Sequence, residues 1–252
     1  MNQIRDIYAA PELYDALHWW KNNDCDFIAG WAEKSGSPVL ELAAGTGRLA
    51  QPILARGLNY TGLELSPEYA RVAAAKLAPF GDRARIVRGD MRDFHLGREF
   101  KFIFIGFNSF LHLYRDEDAL ACLRCIREHL AVGGRLLIDM FVPDPSFLYR
   151  EAGVLYDVAS FHHPLGGYCT IRETNDYDEE SEINHVDWYF YRPLARLPER
   201  FSFDMRIYYP DTMDRMLTDA GLAILEKYGD RAGTPFGPDS ELQIYICGDG
   251  ND

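Results

Sequence analysis

The chain has 252 residues, 47% of them hydrophobic, enough to bury a large core as one elaborated domain or two small ones. Its formal net charge of −13 repels phosphate backbones and anionic lipid surfaces, which argues against nucleic acid or a membrane as a partner. The opening stretch MNQIRDIYAAPELYD lacks the apolar segment of a secretory signal, and FIFIGF at 102–107 is too short to span a bilayer, so a cytoplasmic protein is expected.

Residues 1–36 read as a helical N-terminal lid. Within them YAAPELYDALHWW sets Tyr8, Tyr14, Trp19 and Trp20 on a short amphipathic stretch, a stripe that can serve equally as core. PVLELA (38–43) is a short strand-like run, and GRLAQPILARG (47–57) has helical spacing up to Gly57. NYTGLEL (59–65) is a second strand. It leads into Ser66-Pro67-Glu68, an N-cap with proline at the first helical position, and the helix EYARVAAAKLA follows. RARIVRG (83–89), KFIFIGF (101–107) and GRLLIDMF (134–141) bring the strand candidates to five. Between the last two, DEDALACLRCIREHLAVGG carries apolar residues at Leu120, Leu123, Ile126 and Leu130 and a Gly-Gly stop. Such alternation means a mostly parallel sheet with helices on both faces.

The five cysteines are odd in number and scattered, as in reduced intracellular chains. Cys122 and Cys125 form a CxxC inside the helical pattern with no second pair, so packing is favoured over zinc and no metal is expected. From residue 144 to 204 the pattern turns β-rich and aromatic. VLYDVASFHH, GYCTIRETNDYD, EINHVDWYFYRP and ERFSFDMRIYYP read as an inserted antiparallel sheet. DTMDRMLTDAGL (211–222) returns to helix, and AILEKYGD (223–230) and ELQIYICG (241–248) look like closing strands. The α/β domain is therefore expected over 37–143 and 205–252, interrupted by a β-rich subdomain for substrate binding or dimerisation.

A strand that runs into a glycine turn and then a helix offers free backbone N–H groups to a ligand. Gly45-Thr46-Gly47-Arg48-Leu49-Ala50 fits G-x-G-x-x-[G/A], the dinucleotide fingerprint, which keeps an NAD-dependent oxidoreductase in view. The two glycines also fit a plain left-handed turn. Glu64 lies nineteen positions after Gly45, where a carboxylate can accept both hydroxyls of a ribose or simply decorate the next helix. Two features separate NAD from other nucleosides. Glu41, inside the first strand, would repel a pyrophosphate and favour a cationic ligand. Asp90-Met91 follows the third strand, where the acid can accept from an adenine amine while Met91 covers the ring, or can cap a turn.

Glu41-x-x-x-Gly45-x-Gly47, Glu64, Asp90 and the Gly-Gly before the fifth strand resemble the class I S-adenosylmethionine (SAM)-dependent methyltransferases over nearly the whole chain. The resemblance implies a Rossmann-like seven-stranded sheet whose last strand is antiparallel. It also implies SAM as cofactor and S-adenosylhomocysteine (SAH) as product. On matching positions the Gly45–Gly47 turn seats the methionine moiety and Glu41 acts nearby through water or the amino group. Glu64 takes the ribose and Asp90 with Met91 the adenine, while Ala43, Leu65, Phe107 and Asn108 complete the cofactor contacts. Val132 stands where the family often has proline.

GFNSFLHL (106–113) falls at the acceptor end of the fourth strand. It is not the Asn-Pro-Pro-aromatic motif of adenine-directed DNA enzymes and holds no cysteine for cytosine C5 chemistry. It is similar to the branch that N-methylates small molecules, with amino-sugar N,N-dimethyltransferases the nearest pattern. On that resemblance His112 is the acid/base, with a packing role as its alternative, and Tyr14 touches SAM. Tyr8, Trp19, His112, Trp188 and Tyr189 are the candidate acceptor contacts. In HVDWYFYRP, Trp188 and Phe190 must face away from Tyr189 and Tyr191. The resulting expectation is methyl transfer to a nitrogen of an amine or N-heterocycle in a biosynthetic pathway, by a chain that pairs with itself through the inserted sheet. O-methyl transfer and a non-catalytic SAM-binding partner remain rivals.

Overall fold

The structure is a computed structural model that describes residues 7–18, 22–164, 166–193 and 195–250. Its helices are α1 (Pro11–His18), α2 (Cys25–Ser35), α3 (Ala50–Ala55), α4 (Pro67–Leu77), α5 (Asp116–His129), α6 (Pro145–Leu148) and α7 (Pro210–Asp219). The strands of the first half are β1 (Val39–Leu42), β2 (Tyr60–Glu64), β3 (Ala84–Arg88), β4 (Phe100–Ile105) and β5 (Leu130–Phe141). Those of the second half are β6 (Tyr156–His162), β7 (Tyr168–Asp178), β8 (Ile183–Tyr191), β9 (Glu199–Arg206), β10 (Leu222–Tyr228) and β11 (Leu242–Asp249). Contacts divide them into two units. One comprises Asn22–Val142 with Tyr208–Asp252, the other Met1–Lys21 with Pro143–Ile207.

In the larger unit β1, VLEL, is buried along its whole length because parallel neighbours flank it on both sides, β2 and β4. The sheet runs β10-β11-β5-β4-β1-β2-β3, and β11 is antiparallel to both its neighbours. This is the seven-stranded arrangement expected, with the last strand reversed. Ile28 and Trp31 of α2 pack with Ile53 and Leu54 of α3 against Phe102, Phe104, Leu137, Ile244 and Ile246 of the sheet. At the start of α4 the Ser66 hydroxyl accepts from the Tyr69 N–H at 3.3 Å, with Pro67 in the first turn, as its sequence predicts.

Two local expectations need correction. Helix α3 begins at Ala50 rather than 47, because Gly47 sits at φ +80° in a left-handed conformation that a helix cannot contain. The Gly-Gly pair is not a helix stop either. α5 ends at His129, and Gly133 and Gly134 lie inside β5, where its pairing with β4 slips between Phe100 and Phe102. A Cβ on Gly134 would stand 2.7 Å from the Ala131 carbonyl oxygen, so the pair serves a strand bulge.

The smaller unit is an antiparallel sheet, β6-β7-β8-β9. Phe161, Cys169, Ile171, Phe190 and Phe201 close on Ile7, Leu13 and Leu17 from the segment around α1. The segment expected as a single lid over 1–36 therefore divides: residues 7–18 pack on the inserted sheet, whereas α2 belongs to the core of the larger unit. Among the described residues no helix is long and apolar enough to cross a membrane.

Candidate functional site

β1 and β2 end side by side, and the glycine turn after β1 closes on the carboxylate at the end of β2. Ala43, Gly45 and Gly47 all have positive φ, at 55°, 58° and 80°. Glu64 holds this turn. Its Oε2 accepts from the Gly45 N–H at 2.7 Å and its Oε1 from the Ser66 N–H at 2.8 Å. Burial raises the Glu64 pKa, and the same backbone N–H groups pull it back toward the ionised form. The Leu65 N–H adds a third backbone donor, so of about four acceptor positions one remains, which suits a ribose hydroxyl. Leu65, the next residue, is exposed.

The acid inside β1 has a local explanation. Glu41 pairs in register with Gly62, and Tyr60 lies two residues earlier on the same face of β2. A Cβ at Gly62 would come within 2.7 Å of the Tyr60 hydroxyl, so glycine leaves the room through which Tyr60 reaches across. That hydroxyl donates to Glu41 Oε2 at 2.5 Å. Burial pushes the Glu41 carboxyl up to about 8, only partly offset by Tyr60 and Arg48. Burial thus disfavours the charge expected to attract a cationic ligand.

After β3 the chain bends through Asp90 and Met91. Asp90 Oδ1 accepts from the Arg92 N–H at 2.9 Å, and the Arg92 guanidinium grips both oxygens, Nε at 3.0 and 3.1 Å and Nη2 at 2.6 Å. The Arg92 guanidinium bonded to it holds the Asp90 carboxyl below its ordinary value. Farther along, His129 secures this loop. Its Nε2 accepts from the Leu96 N–H at 3.1 Å while Nδ1 faces the Cys125 carbonyl at 2.8 Å, the arrangement of a neutral imidazole.

At the end of β4, Phe107 and Asn108 have φ of 56° and 62°, two consecutive non-glycine residues in the left-handed region. Backbone strain of this kind costs about 1–3 kcal/mol per residue and persists where the surroundings over-determine it. Here the Asn108 N–H donates to the Asp139 carbonyl at 3.1 Å, and Asn108 Oδ1 accepts from the Phe141 N–H at 2.9 Å. The Asp139 carboxylate, 2% exposed on β5, takes the Arg231 guanidinium at 2.7–3.2 Å and a further hydrogen bond from Phe107. Arg48, directly after the glycine turn, lies over the Phe107 ring at 5.1 Å and bonds both oxygens of buried Asp24 at 2.6 Å. His112 closes the short turn Ser109–His112 that follows, with its ring edge-on to Tyr114 at 6.5 Å.

Ala43, Gly45, Gly47, Glu64, Leu65, Asp90, Met91, Phe107, Asn108 and His112 thus follow the carboxyl ends of four neighbouring parallel strands, the edge where ligands of α/β sheets bind. Five residues at or bonded to this edge are not singled out from the sequence, Asp24, Arg48, Arg92, Asp139 and Arg231, nor is Tyr60, which reaches Glu41 from the start of β2. For Asp139 the signal was available, a lone acid in the apolar run LLIDMF, as for Glu41. Glu41 lies within β1, and Tyr8, Tyr14, Trp188 and Tyr189 lie in the smaller unit. Tyr8 and Tyr14 pack on its core. Trp188 does too, edge-on to Phe203 and donating its indole N–H to Glu173 at 3.0 Å. Tyr189 points to the opposite face, beside Arg200, as the alternation of the strand requires. Trp19 lies outside the described residues. Among those residues no three His, Cys, Asp or Glu side chains gather as metal ligands.

Residues 39–134 match the family model of a methyltransferase domain. The dTDP-3-amino-3,6-dideoxy-alpha-D-glucopyranose N,N-dimethyltransferase of Streptomyces fradiae is 24% identical over 84% of this chain and 83% of its own. The cypemycin N-terminal methyltransferase of a Streptomyces species is 30% identical over 66% of this chain and 67% of its own. Among solved structures, the CcbJ methyltransferase from Streptomyces caelestis superposes with a TM-score of 0.79 at 24% identity, covering 89% of this chain and 94% of that one.

Proposed function

This chain belongs to the SAM-dependent methyltransferases, and on that footing we propose that it methylates the amine nitrogen of a small biosynthetic molecule, an amino sugar foremost. The observation that carries the reading is Glu64. It ties the glycine turn to the end of β2 and keeps an acceptor position for a ribose hydroxyl. An NAD-dependent oxidoreductase gives way to the family assignment, and the antiparallel β11 between β5 and β10 departs from the dinucleotide-binding order.

The residues present fit the cofactor. Backbone of the Gly45–Gly47 turn would hold the methionine end, Glu64 the ribose, and Asp90 with Met91 the adenine, while Phe107 and Asn108 would border the reacting end. When bound, SAM supplies an electrophilic methyl carbon on a sulfonium. His112 takes the ammonium proton, since an imidazole exchanges protons near neutrality. Much of the rate comes from alignment, and the pinned turn at Phe107–Asn108 limits the motion of that edge. Nitrogen is favoured over oxygen because the two relatives above carry N-methylating names or act at an N-terminus.

Two copies pair, in this reading, through the inserted sheet. Among the described residues no strand pairs with the outer side of its edge strand β6, which exposes Val158, and Tyr168, opposite His162 at the far end of β6, is exposed as well. Light scattering of the purified chain and of Val158→Lys tests that part; a monomer in both rejects it. For the activity, SAH is titrated calorimetrically, and amino-sugar nucleotides are then incubated with SAM and followed by mass spectrometry. Gain of a methyl on nitrogen, dependent on enzyme, is the expected result. SAH binding with turnover only of hydroxyl acceptors would overturn the choice of nitrogen.

A further inference from the structure

The mechanism above leaves Arg92 unused, although its side chain makes four contacts within hydrogen-bond distance of carboxylates on two elements. It holds Asp90 through Nε and Nη2, and its Nη1 reaches Asp118 in the first turn of α5 at 3.2 Å. The pair is only half in water: the Asp90 side chain is 28% exposed and that of Arg92 45%.

Counting acceptor positions shows what this does to Asp90. An ionised carboxylate offers about four lone-pair sites. The Arg92 backbone N–H takes one on Oδ1, the Nε–H is shared between the two oxygens, and Nη2 takes one on Oδ2. Three donors on four sites leave room for one more. They also fix the plane of the carboxylate, because a guanidinium fork that meets both oxygens permits one orientation only. Asp118 anchors the far end of the fork, so the Asp90 plane is referred to α5 as well as to its own loop.

We propose that Arg92 is a positioning residue for adenine recognition: it fixes the Asp90 carboxylate so that its one remaining acceptor position meets the exocyclic amine. This rests on the assignment of Asp90 to adenine made above. A lysine in its place would supply charge without the fork and would not fix the plane.

The test compares two ligands by calorimetry on the full chain: SAH, and its 6-deamino analogue with purine in place of adenine. The wild type should prefer SAH by about tenfold or more, the scale of one hydrogen bond to a charged group. In Arg92→Met the affinity for SAH should fall by about that factor while the affinity for the analogue stays where it was, so the preference collapses. Arg92→Lys should not restore it. Retention of the wild-type preference in Arg92→Met would overturn the proposal, and so would an equal loss for both ligands, which is what a purely structural role predicts. A wild type that binds both ligands equally would instead remove the adenine assignment of Asp90 itself, leaving Arg92 nothing to position.

Discussion

Replacing Glu41 with glutamine tests the energetics of the β1–β2 pair most directly. The carboxyl titrates near 4.5 in an unfolded chain and at about 8 in the fold, chiefly because burial disfavours its charged form. Between those values the unfolded state binds fewer protons than the native state. Stability contributed by protonated Glu41 is therefore fully present below about pH 4.5 and is lost as pH rises through about 8. A tenfold difference in proton affinity between the two states is worth about 1.4 kcal/mol, so the whole displacement caps at about 5 kcal/mol. Glutamine keeps an oxygen for the Tyr60 hydroxyl and does not titrate. Urea unfolding of wild type and Glu41→Gln, measured from about pH 5 to about pH 8.5, should show the variant gaining about 4 kcal/mol relative to wild type across that window. A constant offset between the two curves would mean that Glu41 is already ionised in the fold, and the account of its burial would fail.

Glu64→Ala removes the tether on Gly45 as well as the ribose acceptor, and should weaken SAH binding by about 1.5–3 kcal/mol. Unchanged affinity in a folded variant would refute the ribose assignment. His112→Ala should lower kcat far more than it weakens SAH binding, measured by turnover against titration; equal losses would mark a structural residue. Arg231→Met leaves the Asp139 carboxylate buried without its partner and should cost about 3–5 kcal/mol in denaturant unfolding, whereas Arg231→Met with Asp139→Leu should recover most of it. Losses that simply add in the double variant would show that the pair is not coupled.

The parts of this fold that were legible in the sequence are those set by neighbours in the chain. β1 through β5 announced themselves as short apolar runs between turns, and Ser66-Pro67 marked the start of α4 through a cap only three residues long. The glycine turn was legible for the same reason, since positive φ at Gly45 and Gly47 is a property of single residues. Gly133-Gly134 misled because the same dipeptide ends a helix or bends a strand, and only the slip against β4 decides between them. The N-terminal aromatic stripe was equally ambiguous: Tyr8 and Tyr14 have the spacing of a lid and the packing of a core.

What stayed hidden at the candidate site depends on pairs far apart in sequence or on a choice of partner. Asp24 and Arg48 are separated by 24 residues, Asp139 and Arg231 by 92, and no periodicity connects them. Glu41 shows why this matters for function. Read alone, an acid in a buried strand invites a cationic ligand; read with Tyr60 over Gly62, it is also a hydrogen-bonded strut between β1 and β2. The same holds for Asp90, which read alone is a free acceptor and read with Arg92 is an acceptor with one position left. A carboxylate's type and place fix which ligands it can meet, but the donors already on it fix how many bonds remain for them. That second quantity is the one that separates a site for an adenine amine from a surface ion pair.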